Sequence, residues 1–598
     1  MKNQIHLQRK ISFTTTLLGI FIALVAAAHA ADPRTNGWFT AYSGKYARIY
    51  TNNAMLASGT VLTTWSNNSQ TQSSPAYCGV QEVYSSSNSV YVRSTGLASY
   101  NMGPWLNGAF PNLPVNQNLF YRVPRTNGVP STKSITEGGQ IGIFVDGVEM
   151  FNSWDAFYWN GTTTTSGGSG GYWNQDAYVN EGATFDPGYA HQQNTGTYHY
   201  HASPIALRYL LGDHVDYDAS AKTYKESTNA PAKHSPILGW VADGFPIYGP
   251  YGYSVSNDAS SGIRRMISGY VLRNGQFGTD NLTNTLRTNL PAWAVRLYGS
   301  SYGTTYTGPA ISTNVGKYME DKAYLGDLTN SVTQTKYQQG TDYDLDEYNG
   351  RWCVTPEFPN GTYAYFVAIA ADGTPVFPYN IGRGYYGMPA GGTVTSISET
   401  VVTNFLGGPE AKPSLNTPTA KSGTVTLTWS ATEGGTYMVQ STTNFSTWAT
   451  NSTTVAAVLN TASFTNNPPD NYRFYRVAQT ALATYDSAGS GTGNGGGGGG
   501  GASYAVPGNS TVSRGTGTNI SLTITLPGNP PSPPANAPIT SVTLGSLTTT
   551  NFSDAVSGTV LANFIIPSNA ATGEQTVVVT FTSGPPPYSF SNALNLTP

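Results

Sequence analysis

The sequence predicts a mainly β protein: one large β-rich domain followed by two β-sandwich modules. Three observations predict it. Charged residues make up only 10% of the chain, against about 25% in an average globular protein. Gly, Ser, Thr, Asn and Tyr fill the space, and Tyr alone occurs 40 times. Thr, Tyr and Val suit pleated strands, whereas Gly and Asn suit the turns between them. Finally, apolar and polar residues alternate with period two in several short runs bounded by turn residues.

The first thirty residues read as a signal peptide. Lys2, Arg9 and Lys10 precede an apolar run at 17–28, and Ala28-His29-Ala30 supplies the small-x-small pattern that a signal peptidase cuts. A transmembrane helix needs about 20 apolar residues, and no later segment offers them. The expectation is an exported chain, secreted or held at the cell surface, with no transmembrane segment after processing. A net charge of −3 and the absence of a basic run argue against nucleic acid as a partner.

Domain boundaries follow composition. Seven consecutive glycines at 495–501 mark a flexible linker spanning 489–503, and a softer boundary lies near 407–413. The expected pieces are 31–405, 412–484 and 504–598. In the middle piece Val425, Leu427 and Trp429 alternate with Thr424, Thr426 and Thr428, and Tyr437 and Val439 continue the pattern. That piece resembles fibronectin-type-III-like modules of bacterial surface proteins. The segment IPSNAATGEQTVVVTFTSG in the last piece resembles the closing hairpin of immunoglobulin-like IPT/TIG modules. Both resemblances imply spacer or contact roles.

The first piece contains a weak internal echo. Gly142, Gly239 and Ile369 each open an apolar run, then an Asp-Gly pair, then a second partly apolar run. Asp146-Gly147, Asp243-Gly244 and Asp372-Gly373 are hairpin signals of the type I′ kind. Cys78 and Cys353 are the only cysteines. In an exported chain they permit one long-range disulfide; two separate buried thiols are the other reading.

After the signal peptide only five histidines remain, and all lie between positions 191 and 234: His191, His199, His201, His214 and His234. Such clustering is a metal signature. In Tyr198-His199-Tyr200-His201, alternate side chains of a strand share a face, so the two imidazoles project together and the two tyrosines project to the other side. They are about 6–7 Å apart along a strand, close enough to converge on one ion. His234 ranks first as third ligand, with Asp243 on the following turn as ligand or hydrogen-bond acceptor. His191 ranks second, and His214 sits in a polar stretch. Imidazole ligands suit a divalent transition metal, zinc or copper first. The same residues could instead be structural, with the imidazoles bonded to carbonyl groups.

These blocks resemble the YHYH-domain proteins. His191 with Gly196-Thr197-Tyr198-His199-Tyr200-His201 forms the defining block, His234-Ser235-Pro236 with DGFPIYGPYGY the second, and 345–367 the third. The resemblance covers about 100–390. It implies a shared β-rich fold and a shared site, and supplies no reaction.

Other chemistry finds little support. The acidic run 342–351 fails the EF-hand pattern because its sixth residue is Glu347 rather than Gly, which leaves a solvated turn. The Gly-x-Ser-x-Gly strings around Ser169 and Ser301 lack the strand-then-helix context of a nucleophile elbow, although WAVRLY before Ser301 reads as a strand. Two functional classes therefore stand. One is a metal-binding domain displayed by β modules, with its reaction, as a metalloenzyme or otherwise, unknown. The other is a non-catalytic surface protein in which Trp154, Trp159, Trp173 and Trp240 contact an extracellular glycan or protein.

Overall fold

The computed structural model describes residues 32–487, except 68–69, 106–111, 168–169, 300, 302–306, 313 and 471–472, together with strand segments between 502 and 597. The expected signal peptide, the glycines at 495–501 and Ser169 lie outside the described residues. The fold is mainly β, with 37% strand and 10% helix.

The first piece is built on an eight-stranded sheet. Its strands run in the order His191–Gln192, Tyr198–Tyr200, Glu149–Phe151, Gln140–Phe144, Ile237–Val241, Pro246–Tyr248, Thr362–Phe366 and Gly350–Cys353. Most neighbours are antiparallel. The pairs Tyr198–Tyr200 with Glu149–Phe151 and Pro246–Tyr248 with Thr362–Phe366 are parallel. A five-stranded sheet that includes Val80–Ser85, Ser89–Ser94 and Leu119–Pro124 contributes Val83, Val92, Tyr121 and Val123 to the same core. Trp240, Ile247, Tyr248, Tyr365 and Phe366 of the eight-stranded sheet belong to the same core. A second, smaller core gathers Trp154, Trp173, Trp293 and Tyr298.

The three Asp-Gly echoes are three hairpin turns of one construction, though the turn type differs from the expectation. Gly147, Gly244 and Gly373 have φ of +83°, +79° and +88°, and the preceding aspartates are absent from the left-handed region. Phe144 N–H donates to Val148 O at 2.9 Å and Gly147 N–H to Phe144 O at 2.9 Å, and the corresponding bonds close the other two turns. This is a three-residue loop, a type I turn followed by a left-handed glycine. Each aspartate side chain accepts the N–H two residues on: Val148 at 3.3 Å, Phe245 at 3.2 Å and Thr374 at 3.0 Å. That local bond favours the right-handed conformation at Asp and leaves only Gly to adopt positive φ.

Several other expectations are corrected. WAVRLY is not a strand: Ala292–Tyr298 is a helix, with Trp293, Ala294 and Tyr298 buried along one side, so Ser301 follows a helix. Cys78 and Cys353 are both buried free thiols rather than a disulfide. Cys78 Sγ donates to Tyr42 O at 3.0 Å, and Cys353 lies at the far edge of the eight-stranded sheet. The acidic run 342–351 is not a solvated turn. Asp344 is buried and pairs with Arg264 at 2.6 Å, and Asp346 accepts from Tyr363 at 2.9 Å. Trp154, Trp173 and Trp240 are core residues with no surface to offer a ligand.

Residues 419–482 form two facing three-stranded sheets. Thr419–Lys421, Thr424–Ser430 and Thr461–Asn466 make one, and Ala449–Ala456, Gly435–Thr442 and Phe474–Leu482 the other. Leu427, Trp429, Tyr437 and Val439, the apolar phase of the alternation, form the core between them. This piece is fastened to the first one. Glu433 accepts from Arg48 and from Tyr46 N–H, its own N–H donates to Gly44 O at 2.7 Å, and its carbonyl accepts from Tyr77 at 2.9 Å. Beyond it, Asp486 accepts from Gln72 at 2.6 Å. The last piece again shows two sheets, and Gly573–Phe581 pairs antiparallel with Tyr588–Thr597 as its hairpin.

Candidate metal centre

The centre begins with a tight hairpin. His191–Gln192 and Tyr198–Tyr200 pair antiparallel, with His191 directly opposite His199. Gly196 makes the connection possible: its φ is +77°, and a Cβ there would come within 2.6 Å of Val115. Residues opposite one another share a face of the sheet, so His191, His199 and His201 converge. Their ligand-capable atoms lie within 4.8 Å of one another, and all three side chains are buried.

The two faces of this strand differ sharply in chemistry. On the reverse side Tyr198 and Tyr200 both meet the Tyr100 hydroxyl, at 2.7 and 2.6 Å, and Tyr198 donates to Asp186 at 2.6 Å. The histidine face is walled by Phe151, stacked on His199 at 3.8 Å between ring centroids, and by Phe185, edge-on to His191 at 4.8 Å. Phe151 and Phe185 thus form apolar walls on either side of the buried imidazole nitrogens.

Hydrogen bonds fix the ring orientations and the tautomers. His199 Nδ1 lies 2.9 Å from Thr197 O, and His201 Nδ1 lies 2.6 Å from Asn152 O. A carbonyl oxygen can only accept, so both Nδ1 atoms carry the proton. Asn152 is held in turn, because its side chain donates to Thr136 O at 3.0 Å and Glu137 O at 2.8 Å. Thr184 Oγ1 donates its one proton to Glu181 O at 2.6 Å, so it accepts from His191 Nδ1 at 2.7 Å. All three histidines are therefore in the Nδ1–H form, with Nε2 as the donor atom. The Nε2 atoms of His199 and His201 are 3.0 Å apart.

Burial keeps these rings neutral. It pushes His191 and His199 well below the usual imidazole value and His201 down to about 4, and the neighbouring imidazoles add to the effect on His191 and His199. Two carboxyls flank them. Glu181 Oε2 stands 3.4 Å from His201 Nε2 and 3.7 Å from His191 Nε2. Glu149 lies opposite His199 on the parallel neighbour. Burial pushes each carboxyl up to about 8.

The structure does not bring His234 or Asp243 into this group. In the sheet, His234 precedes the strand Ile237–Val241, which two other strands separate from Tyr198–Tyr200. Its ring packs against Tyr248 and Tyr253 at 5.0 Å each, and its Nδ1 donates to Ser235 O at 2.7 Å. Asp243 is a turn residue whose Oδ2 accepts from Tyr365 at 2.6 Å and from Gly387 N–H at 2.8 Å. His214 is half-buried against Tyr251. The structure groups His191, and not the expected His234, with His199 and His201, and it sets beside them Glu181 and Thr184, which no spacing rule marks.

Residues 120–377 match the family model described as YHYH protein. The match encloses the whole histidine cluster and covers less than half of the chain. No curated protein matches the chain. Within this YHYH region the described residues include no helix long and apolar enough to cross a membrane, and the same holds for the described residues elsewhere.

Proposed function

We propose that the YHYH region holds one divalent transition-metal ion on Nε2 of His191, His199 and His201. One observation carries the reading. With both Nδ1 protons committed to carbonyl groups, His199 and His201 face each other through bare Nε2 lone pairs at 3.0 Å. Neutral imidazoles so placed repel, and a shared cation relieves the repulsion. Two nitrogens bound tetrahedrally at about 2.0–2.1 Å from one ion lie about 3.3 Å apart, close to the spacing seen. The anchoring of each Nδ1 is the support that metal-bound histidines ordinarily receive. Nitrogen donors of this kind suit zinc and copper first.

The proposal extends to an exported protein, on the strength of the signal-like pattern at residues 1–30. The signal-like start directs the chain out of the cytoplasm. The two-sheet modules, of fibronectin-type-III-like and IPT/TIG-like character, would present the YHYH region to an extracellular ligand. Elemental analysis of the secreted full chain tests the centre. The expected result is about one zinc or copper per chain, lost in His199→Ala and His201→Ala; absence of metal in native protein and of uptake by the stripped form would leave the histidines structural.

A further inference from the structure

We infer that Glu181 is the fourth donor of this centre and its exchangeable one, the carboxylate that a small anion from solvent displaces. The inference rests on the three-histidine reading above. Glu181 Oε2 is buried and has no hydrogen-bond partner, yet it faces two Nε2 atoms at 3.4 and 3.7 Å. A buried carboxyl oxygen without a partner is costly, and an ionised one costs more beside nitrogen lone pairs. One cation satisfies all of these atoms together. The donor set then becomes three neutral nitrogens and one anionic oxygen.

The chain holds Glu181 there by local structure. Glu181 ends the helix Ala177–Glu181, whose N-cap Asp176 is pinned by Lys322 at 2.6 Å and Tyr379 at 2.8 Å. Its carbonyl accepts from Thr184, the residue that orients His191. Backbone and side chain of one residue therefore serve the same centre.

Exposure makes Glu181 the exchangeable donor. The His191 and His201 side chains are 6% and 4% exposed and the Glu181 side chain 30%. His199 is stacked under Phe151. Of these four residues, Glu181 has the side chain with most contact to solvent. A small monoanion with an oxygen or nitrogen donor, such as a carboxylate or azide, replaces Glu181 without changing the charge of the donor set, and the freed carboxylate turns toward solvent from its 30% exposed position.

The full chain, stripped with chelator and reloaded with cobalt(II), provides the test, with azide as the probe anion. Wild type is expected to bind one cobalt. Glu181→Gln should bind it at least about tenfold more weakly, shift the cobalt absorption bands, and respond to azide at lower concentration because no carboxylate need be displaced. Glu181→Asp, which keeps the charge one methylene shorter, should retain cobalt with shifted bands, and it serves if Glu181→Gln does not fold. A Glu181→Gln protein with the wild-type spectrum, affinity and azide response overturns the role of Glu181 and leaves the histidine centre standing. A wild type that takes no cobalt, indistinguishable from His199→Ala, overturns the centre itself and this inference with it.

Discussion

His191 sits directly opposite His199 across the antiparallel hairpin, with ring centroids 4.7 Å apart. This one register decides which histidine joins the Tyr-His-Tyr-His block. His191→Ala should therefore lower metal stoichiometry as strongly as His199→Ala, whereas His234→Ala should retain the full amount. Metal content of the three purified variants checks this. Retention in His191→Ala with loss in His234→Ala would reverse the assignment.

Thr184 touches no donor atom yet fixes the His191 tautomer by accepting its Nδ1–H. Thr184→Val keeps the side-chain shape and removes the acceptor. Metal affinity should fall about 10–100-fold, with little change in the far-ultraviolet circular dichroism. Competition with a chromophoric chelator measures the difference.

His234 supplies a pH dependence that is independent of the centre. Burial pushes it down to about 4 from an ordinary 6.5. Above pH 6.5 the ring is neutral in both folded and unfolded chains and costs nothing. As pH falls from 6.5 toward 4 the unfolded chain takes up a proton that the folded chain refuses, so stability drops, by up to about 3 kcal/mol once the folded ring also titrates. His234→Phe removes this component. The difference between wild-type and variant denaturant curves should therefore narrow or widen only within that window, in the direction of wild type losing stability on acidification.

Glu433 joins the sandwich module at 419–482 to the first piece through Arg48, Tyr46, Gly44 and Tyr77. Glu433→Ala should cost about 1–3 kcal/mol at this joint and separate the two pieces thermally. Calorimetry should show one transition for wild type over these two pieces and two for the variant. Unchanged melting in the variant would show that the joint contributes no coupling.

Much of the fold was legible because its signals are local. Period two in Val425, Leu427 and Trp429 named the inward face of the sandwich, and Asp-Gly pairs named three turns. The turn type was not legible from the pair alone, since the Asp side chain bonds forward and holds itself out of the left-handed region. WAVRLY reads as a strand by composition, yet the burial of Trp293, Ala294 and Tyr298 in the smaller core makes it a helix. The candidate site was half legible. His199 and His201 sit together because strand geometry puts them so. His191 needed the register of a two-residue strand, and Glu181 needed the end of a five-residue helix brought against that strand. Neither is encoded in a spacing. Asp243 misled because an Asp-Gly turn looks the same whether its carboxylate meets a ligand or, as here, Tyr365 and Gly387.

If the three Nε2 atoms share one ion, X-ray absorption at the metal edge of the native full chain reads it directly. The expected spectrum shows three imidazole nitrogens at about 2.0–2.1 Å with the multiple scattering of histidine rings, lost in His199→Ala. A protein without metal, or one whose metal shows no histidine scattering, would contradict a shared ion at these histidines.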